Sequence, residues 1–310
     1  MRQTENTGLI VGKLIEKNLE VIDGTYYDNN GNKQPCDTIR GSLTVRTDNG
    51  LFALRVWANS KKKNGDDAPM YKGYETVMES YVSEADVAKG NGQIADNISC
   101  TISLNNNDYV GRNGNIVSTI QLRPIFFNRV DADTESTANG ALEGYVKAIR
   151  PEIINDNETG RKIVDFIGIG YNDVAEPFAL ILPEDIADDF EDMYEIGNTC
   201  NLYVNIVMRH VGNNDNKKSA AFGRKAQLRS GFDIMEIQIM GGDNPYDDEE
   251  DENGNTLAFN AKEIKNILEE RDVALEAKLN EANSGKNKKN KNIGKKANTG
   301  AEPIDDDIPF

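Results

Sequence analysis

The chain has 310 residues, 38% of them hydrophobic, and a formal net charge of −17, which is room for two domains of ordinary size with the apolar residues concentrated before about residue 242. The longest apolar run, FALIL at 178–182, is strand-sized, and MRQTENTGLI lacks the basic-then-apolar pattern of a signal peptide, so no membrane partner and a cytoplasmic location are expected. Cys36, Cys100 and Cys200 are far apart, odd in number and accompanied only by His210, a pattern of buried reduced thiols; no metal and no cofactor are expected.

The first 130 residues read as strands interrupted by one helix. GLIVGKLIEKNLEVI (8–22) is extended, and CDTIRGSLTVR and LFALRVW flank the turn TDNG, a hairpin signal. MYKGYETVMESYVSEADVAKG (70–90) has helical spacing at Val77, Met78, Tyr81 and Val82, and two extended runs follow, NISCTISL and NIVSTIQLRPIFF. After the polar stretch DADTESTANG the order repeats: ALEGYVKAI, KIVDFIGIGY, PFALIL, the helix PEDIADDFEDMYEIG, NTCNLYVNIVM and GFDIMEIQIM. In that second helix Ile186, Phe190 and Met193 mark the buried face.

Such a repeat points to internal duplication, and five strands with a helix between the third and fourth is the ordering of the OB-fold, a small Greek-key barrel. The expected architecture is mostly β: OB-fold domains at 1–132 and 138–242, an acidic linker at 243–258, and an amphipathic helix at 259–283 with Ile264, Ile267, Leu268, Leu275 and Leu279 on one face. A disordered tail at 284–310 is expected last, too poor in apolar residues to offset its chain entropy. There the charge separates into blocks: PYDDEEDEN is acidic, GKNKKNKNIGKK basic and IDDDIPF acidic again, so local charge is more informative than the net value.

Alternation places Phe52, Leu54 and Val56 on one face of the third strand and Arg55 and Trp57, the only tryptophan, on the other. On the strand before it Arg40, Ser42, Thr44 and Arg46 form the polar set. An arginine-lined face with an aromatic plate suits unpaired bases, which stack on any flat ring while cations meet the backbone. The alternative is that Trp57 closes the barrel against the helix. The loops repeat the theme with Lys61, Lys62 and Lys63, with Tyr26 and Tyr27, and with Tyr109 and Arg112. In the second half RHVGNNDNKKSAAFGRKAQLR supplies Arg209, Lys217, Lys218, Phe222, Arg224, Lys225 and Arg229. Solvated lysine loops are the bland reading of each, and convergence on one face is the argument for the sharper one.

Catalytic patterns are incomplete, and no enzyme activity is expected. IGIGYND has Asp173 where a dinucleotide fingerprint needs its third glycine, and no GxxxxGK[ST] loop occurs. Asp185, Asp188, Asp189 and Asp192 read as the solvated side of their helix rather than a metal cluster. EEDENGN lacks a calcium loop's final acid, since Asn260 stands there, and His210 has no nucleophile partner.

The last residues, Asp305, Asp306, Asp307, Ile308, Pro309 and Phe310, put an apolar pair after three acids. With paired OB-folds and a basic linker, this resembles the bacterial and bacteriophage single-stranded DNA-binding proteins, which close on an acidic peptide ending in Asp-Ile-Pro-Phe or a near relative; two barrels per chain departs from the common single-barrel form. The resemblance implies a protein that coats single-stranded DNA in a bacterial cell or phage-infected host. It also implies a tip that docks replication, recombination or repair enzymes, Phe310 entering a pocket and its carboxylate meeting a cation. The competing reading is an adaptor whose barrels bind protein or RNA. The sequence leaves self-association open.

Overall fold

In LFALRVW every second side chain is buried, Phe52, Leu54 and Val56 at 1% exposure or less, so the strand presents one face to a core and the other to water. That pattern recurs through a computed structural model that describes residues 1–91, 94–111, 113–154, 156–212, 231–246, 250, 254 and 256–291. The first half comprises β1 (Asn6–Tyr27), β2 (Lys33–Thr47), β3 (Gly50–Asn59), α1 (Pro69–Ser80), α2 (Glu84–Ala88), β4 (Asn97–Val110) and β5 (Ile116–Val130). The second comprises β6 (Thr137–Ile154), β7 (Asn157–Ile169), β8 (Ala175–Leu182), α3 (Ala187–Met193), β9 (Thr199–Gly212) and β10 (Gly231–Gly242), and α4 (Ala261–Lys291) follows.

Each half is an OB-type barrel. β1 pairs antiparallel with β2 and β4, β2 with β3, and β4 with β5; β6 pairs with β7 and β9, β7 with β8, and β9 with β10. The second barrel closes through a parallel bridge between Gln238 of β10 and Ile181 of β8. The first closes through side chains: the Arg123 guanidinium donates to the Trp57 carbonyl at 3.4 Å, and the Tyr74 hydroxyl of α1 donates to the Pro124 carbonyl at 2.6 Å. Pro124 itself has no N–H to give a ladder.

The barrels share a seam. β1 and β6 run antiparallel from Asn6↔Leu142 to Val11↔Thr137, with Gly8 opposite Gly140. A Cβ on Gly8 would stand 2.7 Å from the Asn139 carbonyl oxygen, and one on Gly140 2.6 Å from that of Thr7, so only glycine permits the approach. Gly12 and Gly144 occupy matching positions against Arg46 and Ile167, and matching bulges follow, at Leu14/Glu16 and Val146/Ala148. GLIVGKL and GALEGYV are therefore two copies of one segment related by a near two-fold.

The long helix expected across 70–90 breaks at Tyr81, whose backbone is extended and whose ring is buried under the Arg129 guanidinium. Ser83 then caps α2 in a reciprocal box with Asp86. Lys17 of β1 reaches the α1 terminus and donates to the carbonyls of Met78 and Tyr81, a cation where the helix dipole is negative. The acidic helix is shorter than its spacing suggests, a 3-10 turn (Glu184–Ile186) and then α3. Met193 is 49% exposed; Tyr194 takes its place, packed on Phe190 at 4.7 Å and donating its hydroxyl to the Asp243 carbonyl.

α4 lies on the second barrel. Ile264 and Ile267 are buried with Phe259 against Tyr145, Ile167, Ile169 and Ala175, and Leu268 packs on them, so the first turns of the apolar face are covered within the chain while Leu275 and Leu279 are half-buried. The helix also ties the barrels together, since Arg271 pairs with Asp108 of β4 at 2.8 Å and Arg2 pairs with Glu143 while lying over the Phe259 ring. Burial pushes the Cys100 thiol up, and that of Cys200 to about 12; all three cysteines are free.

Candidate nucleic-acid interface

The outward face of β1, β2 and β3 is ordered in rows by register. Glu20, Arg40 and Trp57 form one row, Asn18, Ser42 and Arg55 the next, and Lys13, Arg46 and Leu51 the last. Trp57 is 52% exposed, so its indole faces solvent instead of closing the barrel. Arg40 lies opposite it and is bonded on its other side to Glu20 at 2.7 Å. Glu16 and Glu20 make the β1 flank acidic, whereas Arg55 carries no acid partner among the described residues. The positive side of the indole is therefore the β3–β5 side.

Arg123 supplies that side and was not singled out from the sequence. It stands on β5, exposed, bonded to the carbonyl of Trp57 itself. Three residues further along β5, Phe126 is 66% exposed. Their signal was present in RPIFF, but the adjacency of β5 to β3 is a tertiary fact that no local pattern contains.

The turn after β3 carries the lysines. Lys61 pairs with Asp67 at 2.8 Å, and Asp67 also takes Lys72; the hydrogen bond from Lys61, and then that from Lys72, hold the Asp67 carboxyl down at about 2. Lys62 and Lys63 are exposed, with no acid partner among the described residues. The Tyr26 hydroxyl lies beside Gly65 in the same turn, and Asn59 bonds the Thr25 carbonyl, so the β1–β2 hairpin leans on the lysine turn. Tyr27, 60% exposed, is at the hairpin end. Tyr26 is six residues along β1 from Glu20, about 20 Å from the Trp57 row at a strand's rise, so these residues lie beyond the end of β3 and not beside the indole.

Other sequence candidates stand elsewhere. Arg46 is six residues along β2 from Arg40, about 20 Å away at a strand's rise, and is paired with Glu84 of α2. Tyr109 lies at the far end of β4 beside Asp108, which α4 grips through Arg271 and Lys278. Arg209 belongs to the second barrel. Arg112, Lys217, Lys218, Phe222, Arg224, Lys225, Arg229 and the tip from Asp305 to Phe310 lie outside the described residues.

Register carries each position of the first barrel onto the second. Arg40 corresponds to Arg161, Glu20 to Glu152, Arg55 to Ile181, Trp57 to Pro183, Arg123 to Gln238 and Gln121 to Glu236. Among the described residues the second barrel thus has no aromatic at the position of Trp57, and Arg161 and Arg209 are engaged. Arg161 holds Glu152 through two bonds of 2.7 and 2.8 Å and reaches Glu236 at 3.1 Å, and Arg209 also pairs with Glu236. Burial alone would raise both acids; for Glu152 the bonds from Arg161 and Thr159, and for Glu236 those from Arg161, Gln238 and Arg209, outweigh it and hold them below the usual carboxylate range. Arg150 and Lys162 are likewise paired, with Asp165 and Glu191.

The model of the YorF family matches residues 5–281, nearly the whole of both barrels and α4. The chain belongs to the YorF family. No curated protein matches it. Among solved structures, the wild-type single-stranded DNA-binding protein from Thermus aquaticus is similar at a TM-score of 0.42 and 9% identity, over 81% of this YorF-family chain and 97% of that one. A deletion mutant of the same Thermus aquaticus protein is similar at 0.42 and 10% identity, over 81% and 100% of the two chains. No helix among the described residues is long and apolar enough to cross a membrane.

Proposed function

We propose that this chain binds single-stranded DNA without strong sequence preference and without catalysing a reaction, and that the first barrel carries most of the affinity. The observation behind this reading is one arrangement: the sole tryptophan stands half-exposed in a strand, with Arg40 across the ladder, Arg55 two residues away and Arg123 on its own carbonyl. An exposed indole among guanidiniums offers a stacking plate to any base and cations to the phosphates on either side. Lys62, Lys63 and Tyr26 extend the path past the end of β3.

On this reading residues 1–132 and 138–242 are two binding domains, 243–258 a linker and 259–283 the core of a helical clasp; α4 runs on to Lys291, past residue 284 where the composition predicts the start of a disordered tail, and the tail is the remainder to 310. The tail's DDDIPF segment recruits replication, recombination or repair enzymes in a bacterial or phage-infected cell. Its aspartates steer toward a basic surface, and Ile308 and Phe310 supply the apolar anchors.

Titration with oligo-dT of increasing length at several salt concentrations tests the proposal. Binding should weaken steeply with salt, and Trp57→Ala should weaken it further by about 1–3 kcal/mol, the worth of one stacked base. Unchanged affinity in Trp57→Ala would reject this face. Equal affinity for a duplex would reject the preference for unpaired bases, and binding of protein alone would favour the adaptor reading.

A further inference from the structure

We propose that the second barrel carries a closed copy of the same phosphate-binding site, in which the Glu236 carboxylate occupies the place that a DNA phosphate takes on the first barrel. The inference rests on the single-strand-binding reading above and adds a second contact point to it.

The donor set around Glu236 is that of an oxyanion site. Arg161 gives two N–H groups at 3.1 and 3.4 Å, Arg209 gives its Nε–H, and Gln238 gives its amide at 3.1 Å. Two guanidiniums converging on one pair of oxygens is the arrangement that phosphate and carboxylate both satisfy. Here the protein supplies the anion itself. Glu236 is 5% exposed, whereas the Arg209 side chain is 38% exposed and keeps one flank of the cradle in contact with solvent.

The comparison between barrels shows what is special about Glu236. Its counterpart in the first barrel is Gln121, which has nearly the same shape and no charge, while Arg161 has Arg40 as its counterpart and Glu152 has Glu20. The two sites share the Arg–Glu pair; on the closing strand Glu236 and Gln238 stand where the first barrel has Gln121 and Arg123, and Arg209 stands where it has Asn107. With Glu152 and Glu236 against Arg161 and Arg209 the second cluster is neutral, so it offers a phosphate no net attraction. Replacing Glu236 by the first barrel's residue leaves the cradle's shape and releases one positive charge.

Glu236→Gln therefore tests the proposal as a gain of function in the full chain. One additional phosphate contact steepens the dependence of log affinity on log salt by about 0.7 for single strands, which amounts to about eight-fold tighter oligo-dT binding at ~50 mM salt relative to ~1 M. The gain should persist when Trp57→Ala is added, because it arises on the other barrel. Glu152→Gln, which frees Arg161 from its other acid, should act in the same direction and serves if Glu236→Gln folds poorly by circular dichroism. Wild-type protein that binds while folded Glu236→Gln or Glu152→Gln shows an unchanged or shallower salt slope overturns the closed site and leaves the single-strand-binding reading intact. A gain that vanishes in the Trp57→Ala background also overturns it. Wild-type protein that fails to bind oligo-dT at any salt removes the reading on which the inference rests.

Discussion

Arg40 and Trp57 face each other across the β2–β3 ladder, and Arg40 is held from behind by Glu20 at 2.7 Å. Both members of that ion pair are more than half exposed, so the pair contributes little to folding but sets the charge beside the indole. Glu20→Gln should leave the thermal midpoint within a degree or two and tighten oligo-dT binding several-fold at low salt, with a slope steeper by about 0.7. Arg40→Ala should do the reverse. Equal slopes in the two variants would detach Arg40 from the DNA path.

Arg161 makes the opposite case, since it joins two carboxylates that are each under a tenth exposed. Arg161→Met leaves both without their main partner and should cost about 3–5 kcal/mol in denaturant unfolding, against under 1 kcal/mol for Arg40→Met. Comparable losses at the two positions would contradict the difference in burial.

The same cluster fixes a pH dependence. Glu152 and Glu236 have folded pKa values below the ordinary 4.5, so their contribution is complete above 4.5 and is lost as the pH falls through the lower folded values. Glu176 runs the other way: burial at the seam beside Asn105 raises it, so protonation relieves a cost as the pH falls through the raised value. Melting curves from pH 6 down to pH 3 should show Glu176→Gln more stable than wild type near neutrality and the advantage shrinking with acid. A constant difference across that range would argue against a buried unpaired carboxylate.

The seam rests on Gly8 and Gly140. Gly140→Val pushes a branched side chain into the Thr7 carbonyl and should cost about 1–3 kcal/mol, with protease cleavage between the barrels appearing before either barrel unfolds. A substitution tolerated without loss would mean that the strands can separate freely.

The proposed function gives the tail a role separate from DNA binding. Removing residues 305–310 should leave DNA affinity unchanged or raised at low salt while abolishing capture of partner enzymes. A large loss of DNA binding would contradict that division.

Much of this fold is legible locally. TDNG between alternating strands marks the β2–β3 hairpin, and LFALRVW assigns Trp57 and Arg55 to the outer face because strand side chains alternate. Register between distant strands is not legible in the same way. Glu20 beside Arg40, Arg123 beside Trp57 and Glu236 between two arginines each depend on how strands far apart in sequence meet, and helical spacing alone could not decide between Met193 and its neighbour Tyr194 for the buried position. The duplicated G-x-x-x-G of GLIVGKL and GALEGYV was present in the letters, yet its meaning, backbones too close for a Cβ, appears only once Gly8 and Gly140 meet at the seam and Gly12 and Gly144 meet β2 and β7.

Because Trp57 is the only tryptophan, its fluorescence reports on the proposed face and nothing else in the molecule. Oligo-dT added at ~50 mM salt should quench that emission to saturation, high salt should restore it, and duplex DNA of the same length should leave it nearly unchanged. An emission that stays constant while oligo-dT is demonstrably bound would place the DNA on another surface and contradict the account.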